Sequence, residues 1–136
     1  MKLLDYAEEL NQMTTPAEKV ETLIFYGSQL KDANHSNGFD EQDRIKGCIS
    51  QTYLKIWITE NKMQLSGYSE SIVIRGLIHI LVDAFSGEEV LTKEVFNNQY
   101  QEFLEKSQIT ENMLPSRANS TISILNHILS KLPDSK

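Results

Sequence analysis

The chain has 136 residues, of which 40% are hydrophobic and 24% charged, with a formal net charge of −6. This is the composition of one soluble globular domain over residues 1–136, long enough to bury roughly two-thirds of its unfolded surface. The acidic balance argues against nucleic acid, whose phosphates are bound by clustered Lys and Arg that release counterions. The single cysteine excludes an internal disulfide and any four-cysteine zinc or cluster site, and it suits a reducing cytoplasm.

The N-terminal stretch MKLLDYAEELNQM carries acids where a signal peptide needs an apolar run. Residues 3–13 read as a short helix. A second is signposted by Thr15, Pro16 and Glu18, a capping box with proline at the first helical position, and Val20, Leu23, Ile24, Gly27 and Leu30 follow the helical period. The stretch DANHSNGFDEQD is rich in turn formers and reads as a surface loop.

From Arg44 the character changes. Thr52, Tyr53, Ile56, Trp57, Ile58 and Thr59 have strand propensity, Glu60-Asn61-Lys62 resembles a hairpin turn, and Met63, Leu65 and Gly67 alternate with polar residues. Two antiparallel strands follow, with residues 44–46 as a third, giving a small sheet of about three strands. Ser69 or Ser71 can then cap IVIRGLIHILVDAF, which is apolar nearly all round. At about 14 residues, with Arg75, His79 and Asp83 inside it, this segment is a buried helix and not a membrane span. Ser86-Gly87-Glu88-Glu89 reads as another helix start, Tyr100 to Lys106 as a further helix, and Pro115 opens a last helix carrying Ile122, Leu125, Ile128 and Leu132. Helices, then strands, then helices define an α+β domain.

A lone cysteine is by itself more often an inert core residue than a nucleophile. Three features favour chemistry at Cys48. Gly47 before it lets the chain bend. If residues 44–48 are extended, Arg44, Lys46 and Cys48 share a face, and two cations near a thiol favour thiolate. Finally, no acid lies between Arg44 and Lys55. His35, His79 and His127 are the candidate bases for a Cys-His hydrolase, whose thiol needs an imidazole in hydrogen-bond reach. No spacing such as HExxH supports a metal site, and no glycine-rich phosphate loop occurs. Arg117 stands at the start of the last helix, where the helix dipole disfavours a cation; a residue that breaks a local rule is a candidate for function.

Four pieces in order, Ile45-Lys46-Gly47-Cys48-Ile49-Ser50-Gln51, Ile56-Trp57-Ile58, Ile74-Arg75-Gly76-Leu77-Ile78 and Pro115-Ser116-Arg117-Ala118-Asn119, resemble the SufE family of sulfur-acceptor proteins. The resemblance runs from about Pro16 to Leu132. It implies a fold like that of the U-type (IscU-like) scaffold proteins, with Cys48 as acceptor of persulfide sulfur and Ser50, Gln51 and Arg117 as its neighbours or docking surface; the local reading adds Gly47, Lys46 and Arg44 to these neighbours. The implied partners are a SufS-like cysteine desulfurase, which carries the pyridoxal phosphate, and a SufBCD-like Fe–S scaffold complex. The chain itself would then bind no cofactor or metal, accelerate the desulfurase by clearing its product, and act as a cytoplasmic carrier rather than an enzyme. Two positions depart from the family pattern: Leu114 replaces the usual Ser or Thr before Pro-Ser-Arg, and Ser120 replaces a glycine. The chemistry agrees with the residues. An acceptor needs one accessible thiol and no internal resolving cysteine, whereas a cluster scaffold needs several ligands.

Overall fold

The two N-terminal helices form where the sequence supplies their ends. In a computed structural model of the chain, residues 1–30 and 38–134 are described, so His35 and most of the polar loop lie outside the described residues. Helix α1 (Leu3–Asn11) buries Leu3, Tyr6, Ala7 and Leu10. It stops two residues short of the expected end because the chain must leave the helical region before Pro16. Helix α2 (Pro16–Gln29) opens on the predicted capping box: Thr15 Oγ1 accepts from the Glu18 N–H at 3.2 Å, and Glu18 Oε1 accepts from the Thr15 N–H at 3.1 Å.

Strands β1 (Thr52–Thr59) and β2 (Lys62–Ser69) pair antiparallel, in register from Thr52↔Ser69 to Thr59↔Lys62. Their two-residue turn, Glu60 (φ 53°) and Asn61 (φ 64°), has the left-handed backbone whose twist matches a hairpin. Met63, Leu65, Gly67 and Ser69 face inward, as the alternation predicts.

The expected third strand does not form, and the sheet has two strands. Residues 44–46 give only one bridge, Arg44↔Tyr53, backed by the Ile45 N–H donating to Thr52 O at 2.8 Å. Pairing stops there because Gly47, at φ 92°, turns the chain away. On the other edge, the helix expected after Ser86 is also absent. Gly87 at φ 85° breaks the helical path, and the following backbone pairs with β2 instead: the Gly87 N–H donates to Met63 O at 2.7 Å and the Met63 N–H to Glu88 O at 2.8 Å. A backbone pairing across distant segments overrides the local capping signal.

Helix α3 (Ile72–Phe85) is the centre of the fold, capped by Ser71 and burying Ile74, Leu77, Ile78, Ile80 and Leu81 against β2 and α2. Two glycines set its distance from α2. A Cβ on Gly76 would collide with the Leu23 carbonyl, and one on Gly27 with the Ile72 carbonyl. The helix backbones therefore touch, which only glycine permits.

Helix α4 (Lys93–Ser107) begins seven positions before the expected Tyr100 start, with Thr92 Oγ1 accepting from the Val95 N–H. Its buried face, Phe96, Tyr100 and Phe103, recurs at four and three residues. The polar run Asn97-Asn98-Gln99 lies between the first two of these and obscures the start. Helix α5 (Pro115–Leu129) buries Ile124, Leu125 and Ile128, and Leu132 packs on the core beyond its end. Its N-cap, Leu114, supplies no side-chain hydrogen bond. Among the described residues, no helix is long and apolar enough to cross a membrane.

Candidate functional site

Cys48 sits at the middle of a loop closed at its base by β-type hydrogen bonds. Besides the Ile45 to Thr52 bond, Thr52 Oγ1 donates to Ser50 O at 3.1 Å and lies 2.8 Å from Ser69 Oγ, while Gln51 O accepts from the Glu70 N–H at 3.0 Å. These bonds fix the ends of the loop. Gly47 carries the bend and rests on α5, where a Cβ would lie 2.5 Å from Ser123 Oγ.

The cysteine is free, half-buried, and packed against the edge of the core. Its sulfur lies within electrostatic reach of Tyr100, whose hydroxyl donates to Thr121 O at 2.8 Å. Burial pushes the Tyr100 phenol up, and negative charge on Cys48 pushes the same way. The next residue, Ile49, points outward and is 84% exposed.

A cavity of about 330 Å³ opens beside the loop, lined by Ile49 and Ser50, by Ile72 of α3, and by Leu114, Ser116 and Arg117 at the start of α5. Fold topology brings together residues more than sixty positions apart. Its rim carries three exposed hydrophobic side chains among serines, namely Ile49, Leu114 (62% exposed) and Ile72 (37% exposed), and Arg117 supplies its cation. Leaving three large hydrophobic side chains exposed around one cavity is the pattern of a surface that another molecule covers.

Ser50 and Arg117 therefore line one cavity, and Gly47 carries the bend that precedes Cys48. Gln51 stands at the loop base with its side chain exposed and does not line the cavity. Arg44 and Lys46 do not share a face with Cys48, contrary to the extended reading, because the turn at Gly47 breaks the alternation on which it rested. They line a separate cleft of about 630 Å³ with Ser123, His127 and Lys131. Ile49, Ile72 and Leu114 were not assigned a role from sequence. An isoleucine beside a cysteine carries no local signal of exposure, since that depends on what folds over it.

The described histidines are occupied elsewhere. His79 stacks on Tyr26, centroids 5.9 Å apart and planes 13° from parallel. His127 Nε2 is 2.6 Å from Leu54 O, so that nitrogen carries the proton and donates. Burial holds both imidazoles below their ordinary value. Among the described residues no histidine hydrogen bonds Cys48, and no group of three or more His, Cys, Asp or Glu is placed to hold a metal.

An uncharacterised SufE-like protein of Synechocystis sp. is 26% identical over 129 residues, covering 95% of this chain and 79% of the relative. The solution structure of a hypothetical protein from Thermus thermophilus superposes with a TM-score of 0.69 at 13% identity, over 95% of this chain and 91% of that one, which shows a shared fold. The model of the SufE family, described as an Fe–S metabolism associated domain, matches residues 5–132. The chain thus belongs to the SufE family, associated with Fe–S metabolism.

Proposed function

We propose that the chain is a sulfur carrier, working as one domain, that takes persulfide sulfur onto Cys48 from a pyridoxal-phosphate-dependent cysteine desulfurase and delivers it to an Fe–S scaffold complex. The observation that carries this reading is the placement of the only thiol on a glycine-hinged loop beside an apolar rim with one arginine. Neither a metal nor a cofactor takes part on this chain.

In the transfer, the Cys48 thiolate attacks the outer sulfur of the donor persulfide. A Cys48–sulfur bond forms as the donor's sulfur–sulfur bond breaks, and the electron pair leaves on the donor thiolate. The exchange needs no external oxidant or reductant. The Cys48 proton passes to solvent, and the terminal sulfur of the new persulfide takes up or keeps its own according to pH. With no second cysteine, nothing in the chain can resolve the persulfide into a disulfide. Half-burial of Cys48 shields the loaded sulfur from reductants, and the Gly47 hinge lets the loop swing out when the donor docks. Ile49, Ile72 and Leu114 are the apolar contact for that donor, while Arg117 pairs with acceptor groups at the interface.

Clearing the donor's persulfide also explains why such a protein would stimulate the desulfurase, and a soluble cytoplasmic carrier suits the exchange. A stand-alone Cys-His hydrolase fits less well, because both described histidines are committed to other partners. The test is mass spectrometry after incubation with desulfurase and cysteine, alongside desulfurase sulfide release. Wild type should gain about 32 Da, the mass of one sulfur, and stimulate release. Cys48→Ser should do neither. An adduct retained in Cys48→Ser, or no stimulation by wild type, would sink the proposal.

A further inference from the structure

Helix α5 carries one polar stripe, Ser116, Ser120, Ser123 and His127, spaced four, three and four residues apart and so on a single face. The Cys48 loop crosses this stripe at Ser123, where Gly47 lies against the helix. The crossing divides the stripe into two recesses. The first is the cavity with Ile49, Leu114 and Arg117, and the second is the cleft of about 630 Å³ holding Arg44, Lys46 and Lys131.

The second recess is cationic in a chain whose net charge is −6. Its other lining groups, Gln42, Asn126 and Ser130 among them, are neutral hydrogen-bonding side chains. One acid lines it, Glu41, which pairs with Arg44 at 3.8 Å. Asp43 also acts on His127, but it is buried and its carboxylate accepts from the Asp40 N–H at 2.8 Å. Lys46 and Lys131 are exposed and, among the described residues, have no carboxylate within ion-pair distance.

We infer that this cleft receives an acidic, solvent-exposed segment of the sulfur-donor protein and so sets its register on α5 while the apolar rim meets the reacting site. The inference rests on the sulfur-acceptor reading and adds a partner chemistry to it. Exposed cations hold a lone small anion weakly, because water screens them. Spread over a long recess, however, they steer an acidic protein surface and fix its orientation. Arg44 and Lys46 precede the hinge and Lys131 follows α5, so a segment lying across them has the Cys48 loop at its edge. This gives the two cations a role that does not require them to touch the sulfur.

The test is stopped-flow association of the full chain with its cognate pyridoxal-phosphate cysteine desulfurase, at a series of salt concentrations. The wild-type on-rate should fall steeply as salt rises. Lys46→Glu/Lys131→Glu should lower it about tenfold at low salt and flatten the dependence, with the gap closing at high salt. Lys46→Arg/Lys131→Arg should retain the wild-type slope, and thermal melts should show all three proteins folded. An unchanged slope in the charge-reversed variant, with normal sulfur uptake on wild-type Cys48, would overturn this inference alone. Association blocked by sulfate beyond the effect of chloride at matched ionic strength would make the cleft a small-anion site and also overturn it. A steep wild-type slope lost on charge reversal, with no sulfur on Cys48, would uphold the acidic docking and overturn the sulfur-acceptor reading.

Discussion

Replacing Gly47 by alanine tests the hinge beneath Cys48. Two costs arise from the structure. A non-glycine residue at φ 92° pays about 1–2 kcal/mol for the left-handed backbone. The new Cβ would also lie 2.5 Å from Ser123 Oγ, which must turn off its rotamer at about 0.5–1.5 kcal/mol, whereas Ser123 Cβ at 3.5 Å is an ordinary contact. Against these, alanine stiffens the unfolded chain and returns about 0.4–1 kcal/mol. The net loss is about 0.5–3 kcal/mol, a fall in Tm of roughly 2–10 °C for a chain of this length. Ser123→Ala in the same chain should relieve only the clash and leave the backbone cost. Thermal melts of both variants read the stability, and mass spectrometry of sulfur uptake reads the loop. A Tm within about 1 °C of wild type, or full rescue by Ser123→Ala, would show that Gly47 is not needed for its backbone angle.

Gly76→Ala places a Cβ into the Leu23 carbonyl, a backbone atom that cannot swing aside, and should cost about 3 kcal/mol or more in urea unfolding; less than about 1 kcal/mol would mean that α2 and α3 are not in backbone contact. Ile49→Asp should leave the urea midpoint within about 0.5 kcal/mol of wild type, since the side chain is 84% exposed, while weakening desulfurase binding measured by calorimetry; unaltered affinity would remove Ile49 from the interface. Burial holds His127 below its ordinary value of 6.5, against the opposing pull of the Leu54 carbonyl. Below that value the unfolded chain binds a proton that the folded chain does not, so this group's stability is full above about 6.5 and is lost as pH falls toward the folded value. Urea midpoints between pH 7.5 and 5.5 should therefore fall more for wild type than for His127→Gln, and parallel curves would contradict the assignment.

The elements legible in the sequence are those whose signals are local. The Thr15-Pro16-Glu18 box, the period of α3 and the alternation of β2 each depend on residues within a few positions, and each survived folding. The family was also legible, because the ordered motifs around Cys48, Trp57, Gly76 and Arg117 mark it without knowledge of contacts. Two failures came where the backbone took a course that the local signals did not announce. Residues 87–89 paired with β2 instead of starting a helix, and residues 44–46 were stopped at one bridge by the turn at Gly47.

Sequence by itself determined the family, the single thiol and the α+β order of elements. Only tertiary structure decided which charges stand near that thiol. Alternation assigned it Arg44 and Lys46, four and two residues away, but a positive φ at one glycine turned them into another recess and left Arg117, sixty-nine positions downstream, facing the cavity beside the loop. The exposed rim of Ile49, Ile72 and Leu114 was hidden for the same reason: exposure is set by what packs over a residue, and three separate elements had to meet before that surface existed.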